Sequence, residues 1–302
     1  MNDLATFQAQ RTHLIGIAYR MLGEMGAAED VAQEAWLRWQ RADGEDIRDP
    51  RAWLSAVTVR LALDALRKAR ARRETYVGPW LPEPLLPDDT RALTADAPAA
   101  RAELASDLSL ALLMVLERLT PEERAALILH DAFDCDYATI AQALEKNEAA
   151  CRKLVSRARE RVKAERPRRT VTGEQHRQII ARFMQAAASG DPKQIASLLA
   201  PDVVLYTDGG GKRQAALNPI HGADKVLRFT LGVLSKFGPP DGFQIEPAEI
   251  NGTPGLLLRT AEGLDSALTV ELDSKLIRAA YLVRNPDKLR RIARASFGTR
   301  TP

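Results

Sequence analysis

Two clusters of cations, each on a helical spacing, are where this chain can do chemistry. One is the run Leu66-Arg67-Lys68-Ala69-Arg70-Ala71-Arg72-Arg73, with six basic residues against Asp64 between Arg60 and Arg73. The other surrounds Cys151-Arg152-Lys153-Leu154-Val155-Ser156-Arg157-Ala158-Arg159, and from Lys146 to Arg169 ten basic residues stand against Glu148, Glu160 and Glu165. Guanidinium and ammonium groups gathered in this way hold phosphates and, where a fork enters a groove, base edges. Two such helices about eighty residues apart predict a protein that grips DNA at two separated places.

The net charge of +3 decides little, because it is the local concentration of charge that matters. With 302 residues, 45% of them apolar, the chain can bury two or three cores. Cys135 and Cys151 are the only cysteines, and His13, His130, His176 and His221 are scattered, so neither a disulfide framework, a metal site nor any other cofactor is implied. No apolar run approaches the roughly 20 residues that cross a bilayer, and Met1-Asn2-Asp3-Leu4 does not open a signal peptide. The expectation is a cytoplasmic protein with no membrane contact.

Helical periodicity runs from Phe7 to about Glu74, with Leu14, Ile17, Ala18, Met21 and Leu22 on one stripe and Val31, Ala35, Trp36 and Trp39 on the next. A polar loop, Ala42–Asp49, precedes Pro50, which suits the first turn of the helix that carries the first basic run. From Thr75 to about Ala100, prolines 79, 82, 84, 87 and 98 oppose helix, and Glu83, Asp88, Asp89 and Asp96 add acid, so residues 75–103 read as a linker. A second helical domain is expected over 104–168, with Thr120-Pro121-Glu122-Glu123 as a capped start. Within it, Tyr137–Leu144, a turn at Glu145-Lys146-Asn147 and a longer helix from Glu148 have helix-turn-helix proportions. Ile140, Leu144, Cys151 and Val155 would form the shared core, leaving Arg152, Lys153, Ser156, Arg157 and Arg159 outward. The competing reading is a helical hairpin whose arginines are merely solvated. Over 173–302 a helix is followed by runs of strand character at Val203–Thr207, Gly255–Thr260, Ser266–Leu272 and Leu276–Val283, an α+β texture.

Leu14–Arg41, with Ile17-Ala18-Tyr19-Arg20-Met21-Leu22-Gly23 leading into Ala28-Glu29-Asp30-Val31-Ala32-Gln33-Glu34-Ala35-Trp36, closely resembles region 2 of the extracytoplasmic-function sigma factors of bacterial RNA polymerase, and Tyr137–Arg159 resembles their region 4. The resemblance implies a multidomain chain, a region 2 bundle (1–74) and a region 4 helix-turn-helix (104–168), that binds core polymerase through the β′ clamp helices and the β flap and directs it to promoter DNA. It assigns Asp30, Gln33, Glu34, Leu37 and Arg38 to the polymerase, and Asp43, Glu45, Asp46, Arg48, Arg60, Arg67, Lys68 and Arg70 to the −10 element. Arg152, Lys153, Ser156, Arg157 and Arg159 fall to the −35 element. A pocket for an extruded base beside a cationic helix is a physical means of opening DNA without ATP.

Three patches, Trp80-Leu81-Pro82-Glu83-Pro84, Asp208-Gly209-Gly210-Gly211-Lys212 and Asn285-Pro286-Asp287-Lys288-Leu289, resemble the signature of the subgroup with a fused SnoaL-like carboxy-terminal domain. That implies an α+β cone of the NTF2 type, tuning activity in cis in place of a separate anti-sigma protein. Read physically, three glycines between a carboxylate and an ammonium form a tight turn that lets another segment approach closely, and Trp80 in the linker needs burial. The alternative is a bare turn beside an unstructured tether.

Two other function classes remain open on sequence alone. One is a helix-turn-helix regulator whose last domain senses a small-molecule ligand of unknown type. The other is a SnoaL-like enzyme using Asp202, Tyr206, Asp208 and His221, although each of these has an ordinary role in a turn, strand or loop.

Overall fold

The computed structural model describes residues 4–42, 47–94, 107–165, 171–237 and 244–297. The chain divides into two compact units: Met1–Thr75, Asp88–Leu108 and Leu112–Arg166 make the first, and Tyr76–Pro87, Ser109–Ala111 and Pro167–Pro302 the second. The proline-rich stretch is therefore shared, its first part belonging to the second unit.

In the first unit, α1 (Leu4–Leu22) and α2 (Met25–Arg41) bury the apolar stripes described above, with Leu14, Ile17, Ala18, Met21 and Ala35 all at 0% exposure. α3 (Pro50–Arg73) starts where Asp49 accepts a hydrogen bond from the Ala52 amide at 3.0 Å and Pro50 fills a first-turn site that needs no donor. Trp39 packs on Trp53 with ring centroids 5.5 Å apart, tying α2 to α3. The linker read over 75–103 contains a helix, α4 (Pro87–Thr94), because Pro87 opens it and Asp88 and Asp89 lie in its first turn, where they meet the positive end of the dipole. Prolines exclude helix interiors, and they favour helix starts.

After α5 (Leu110–Glu117), Thr120 and Glu123 form a reciprocal capping box that starts α6 (Pro121–Leu127). A single π turn, Ile128–Ala132, carries His130 and Asp131 toward the next pair of helices. α7 (Tyr137–Leu144) ends at Glu145 in the left-handed region, φ 54°. Asn147 then accepts from the Ala150 amide at 2.8 Å to cap α8 (Glu148–Glu165). Ile140, Leu144, Cys151 and Val155 are buried between α7 and α8.

The second unit has α9 (Gly173–Ser189), α10 (Pro192–Ala196) and a six-stranded sheet in the order β2-β1-β6-β5-β4-β3. The strands are β1 (Leu199–Asp208), β2 (Ile220–His221), β3 (Gln244–Ile250), β4 (Thr253–Thr260), β5 (Gly263–Asp273) and β6 (Leu276–Val283). Among the described strands only β1 and β6 run parallel. Ile179 and Ile180 of α9 and Val226 of α11 (Ala223–Phe237) join Val203, Leu205, Leu256, Val270 and Ile277 in one core. Asp202, expected in a turn, lies inside β1, where a register shift between Leu199 and Val204 absorbs it. β3 has no counterpart in the sequence reading because Pro247 argues against a strand, and it is tolerated there because β3 is an edge. The chain ends its described part in α12 (Pro286–Phe297), which packs on β5.

Candidate functional site

On α2, Asp30, Gln33, Leu37 and Arg38 are exposed and Glu34 half-buried, because Ala28, Val31, Ala32 and Ala35 turn the opposite stripe inward. Arg38 pairs with Glu34 at 3.3 Å across one helical turn. The result is one polar face with an apolar centre at Leu37. Of the residues assigned to the −10 element, Asp43, Glu45 and Asp46 lie outside the described residues, while Arg48 and Lys68 are exposed. Arg67 pairs with Asp64 at 3.2 Å, and Arg60 turns back toward the Ala56 carbonyl at 3.5 Å.

Arg70 is engaged within the first unit. It donates to the main-chain carbonyls of Glu117 and Leu119, at 3.1 and 2.5 Å, and so caps the carboxyl end of α5. The sequence reading missed the centre of this contact. Glu117 accepts from Arg73 and from Arg124, the latter at 2.6 Å, while Arg73 donates to the Leu22 carbonyl at 2.8 Å and Arg124 to that of Arg20 at 2.9 Å. Arg124 is fully buried. Burial pulls the Glu117 carboxyl up, but Arg124 and Arg73 together outweigh it and hold it below the usual range. No composition signal marks Glu117; it sits on an apolar helix, and its partners are remote in sequence.

On α8, Arg152, Lys153, Ser156, Arg157 and Arg159 are all exposed. A cleft of about 230 Å³ runs along this face, lined by Tyr137, Arg152, Val155, Ser156, Arg159, Glu160 and Lys163. Arg152 lies over the Tyr137 ring, 5.0 Å from its centroid.

The second unit gathers the three short patches around one buried carboxylate. Asp208, at 0% exposure, accepts from the Tyr76 hydroxyl at 2.6 Å, the Leu81 amide at 2.9 Å, the Gly210 amide at 3.0 Å and the Lys288 ammonium at 2.7 Å. Lys288 also donates to the Leu81 carbonyl at 2.5 Å and lies 4.2 Å from the Trp80 ring centroid. Asn285 donates to the Tyr76 hydroxyl at 2.8 Å, and its Oδ1 accepts from the Asp287 amide at 3.0 Å. Lys212 pairs with Asp287 across the same clasp. The glycines permit this approach: a Cβ on Gly210, at φ 59°, would lie 2.3 Å from Asn285 Nδ2, and one on Gly211 3.3 Å from Val77. Pro82 is buried and Glu83 half-buried in the docked linker segment. Farther along it, Leu85 and Asn251 exchange two hydrogen bonds of 2.8 Å. Tyr76 and Asn251 had no signal in the sequence, since each is a single polar residue outside any motif.

The four residues considered for catalysis are not assembled. Asp208 is saturated by the linker and Lys288, and Tyr206 stacks on Tyr281 at 5.5 Å with planes 8° apart. Asp202 and His221 are exposed on β1 and β2.

Residues 6–72 match the family Sigma-70 region 2, and residues 109–162 match Sigma-70, region 4. Over 298 residues the chain is 41% identical to the ECF RNA polymerase sigma factor SigJ of Mycobacterium tuberculosis, covering 95% of this chain and 93% of that protein. The chain belongs to the extracytoplasmic-function sigma factors. It is also 32% identical to the probable sigma factor SigI of the same species, over 94% of each chain. The crystal structure of Mycobacterium tuberculosis SigJ matches with a TM-score of 0.75 at 38% identity, covering 95% of this chain and 98% of that one. The fold is that of two helical sigma regions followed by a mixed-sheet domain of the NTF2 type. Its function is to act with core RNA polymerase in promoter-specific initiation of transcription. Among the described residues no helix is long and apolar enough to cross a membrane.

Proposed function

We propose that this sigma factor docks on the β′ clamp helices through Asp30, Gln33, Glu34, Leu37 and Arg38, on the β flap through region 4, and reads the −35 element with α8. Arg48, Arg60, Arg67, Lys68 and Arg70, with the loop before α3, serve the −10 element. The second unit regulates these activities in cis, without a separate anti-sigma protein and without catalysis of its own.

The observation that carries the regulatory reading is the clasp around Asp208, in which Asp208 and Lys288 bond the main chain of Leu81, Lys288 lies against the Trp80 ring, and Asp208 and Asn285 bond the Tyr76 hydroxyl. A linker saturated by this clasp is withheld from any other partner, so release and promoter engagement are coupled. Run-off transcription with core polymerase tests the whole reading. The full chain should initiate from its promoter, and a chain ending at Arg284 should give at least threefold more transcript. No dependence on the added protein would sink the promoter assignment, and equal output from both chains the clasp.

A further inference from the structure

Among the −35 candidates, Arg159 has its guanidinium held by a fork to a mostly buried carboxylate. Its Nε donates to Asp131 Oδ2 at 2.9 Å and its Nη2 to Oδ1 at 2.5 Å, a two-bond fork, and Nη2 also lies 3.4 Å from His130 Nδ1. The acid is mostly buried, with 14% of its side chain exposed, whereas Arg159 keeps 49%. Asp131 sits on the π turn, an element that re-aims side chains and is common beside functional sites. His130 is buried and packs on Tyr137 at 4.6 Å, and Tyr137 in turn lies under Arg152.

From this arrangement we propose that Asp131 is a positioning residue for promoter recognition: it buttresses Arg159 so that the arginine reads one base pair of the −35 element. An arginine recognises guanine by N–H donors held in one plane, and a freely rotating side chain loses rotamer entropy when it is immobilised. Asp131 takes the Nε side of the fork and fixes the plane of the guanidinium, and with Nη2 shared between Asp131 and His130 it is the Nη1 group that is left to meet a base edge. The paired carboxylate also disfavours a phosphate at the same arginine, because it cancels the charge a phosphate would seek. Lys153 and Arg157, both exposed on the same helix, are the residues suited to phosphates. The proposal rests on α8 being the −35 reader.

The test is run-off selection with core polymerase and the full chain on promoters randomised across the −35 window, followed by sequencing of the transcribed templates. Arg159→Ala should abolish the preference at one position and leave the others. Asp131→Asn, which keeps the shape and removes the charge, should reduce the preference at that same position at least fivefold, with unchanged or tighter binding to an unrelated duplex. Arg159→Lys keeps the charge without the fork and should behave like Arg159→Ala, so a destabilised Asp131 variant does not leave the idea untestable. If Asp131→Asn or Arg159→Lys leaves that preference intact, or if either weakens all positions equally, the buttress is wrong. If Arg159→Ala changes no position, the assignment of α8 to the −35 element falls as well.

Discussion

At the scale of single residues, the strongest constraint is the pair Lys288 and Asp208, whose side chains are 7% and 0% exposed. A buried charge without its partner costs about 3–5 kcal/mol, whereas replacing both partners with neutral groups is far milder. Lys288→Met should therefore lower the unfolding free energy of the second unit by that order, and Lys288→Met with Asp208→Asn should recover more than half of the loss; urea melts of the three proteins decide it. The first unit offers a pH prediction. His13 is buried, its Nε2 lies 3.1 Å from Ser55 Oγ, its Nδ1 accepts from Arg51, and its ring meets Phe133 edge-on. Burial, with Arg51 and Arg20 nearby, lowers its pKa from 6.5 to about 3. The unfolded chain takes up this proton below pH 6.5 and the folded chain does not until about pH 3, so stability falls as pH falls through that window. The slope reaches about 1.4 kcal/mol per pH unit, and between pH 7 and 5 the wild type should lose about 2 kcal/mol more than His13→Asn. Equal losses in both proteins would remove His13 as the cause.

At the scale of elements, the glycine turn after β1 and the start of α12 act as one clasp. Gly210→Ala places a methyl group onto Asn285 at a left-handed φ, and Asn285 is itself fixed through Tyr76 and Asp287. The expected result is faster amide exchange at Leu81, whose N–H is bonded to Asp208, with the exchange of β5 unchanged. If Leu81 keeps its protection, the turn tolerates the methyl group and the clasp does not depend on close approach. The same elements show what the sequence could carry. The helix-turn-helix was legible because Ile140, Leu144, Cys151 and Val155 recur on a helical period and Asn147 suits the cap of the second helix. Asp208, Gly209, Gly210, Gly211 and Lys212 were legible as a turn that invites a close neighbour, and Trp80 as a residue needing cover. Which atoms meet was not legible, since Tyr76 and Asn251 carry no local pattern and their partners lie 132 and 166 residues away. β3 was hidden by Pro247 and α4 by the prolines around it, both through rules that hold for element interiors and fail at edges and starts.

At the scale of the whole molecule, the contact between region 2 and region 4 sets a conformational requirement. The −10 and −35 elements are centred about 25 base pairs apart, on the order of 85 Å of B-DNA at about 3.4 Å per pair. Arg70 and Arg73 at the end of α3 nevertheless touch Glu117 and Leu119, at the entrance to region 4, while Arg124 reaches back to α1. With α3 and α8 serving the two elements as proposed, one compact unit of this kind does not span them, and the contact is expected to open on promoter binding. Glu117 is the centre of the contact, because one carboxylate neutralises two arginines from its opposite sides. Glu117→Gln keeps the shape and leaves Arg73 and Arg124 repelling each other across it, which raises the free energy of the closed form. Each 1.4 kcal/mol lost by the closed form lowers the concentration needed for half-maximal transcription about tenfold while closure dominates. The variant should therefore exchange amides faster at 68–73 and 119–127, with α2 unchanged, and reach half-maximal run-off transcription at lower concentration than the wild type. Faster exchange spread evenly over α1, α2 and α3 would instead mean that Glu117 holds the fold of region 2 itself, and unchanged exchange at both segments would mean that the contact does not depend on this charge.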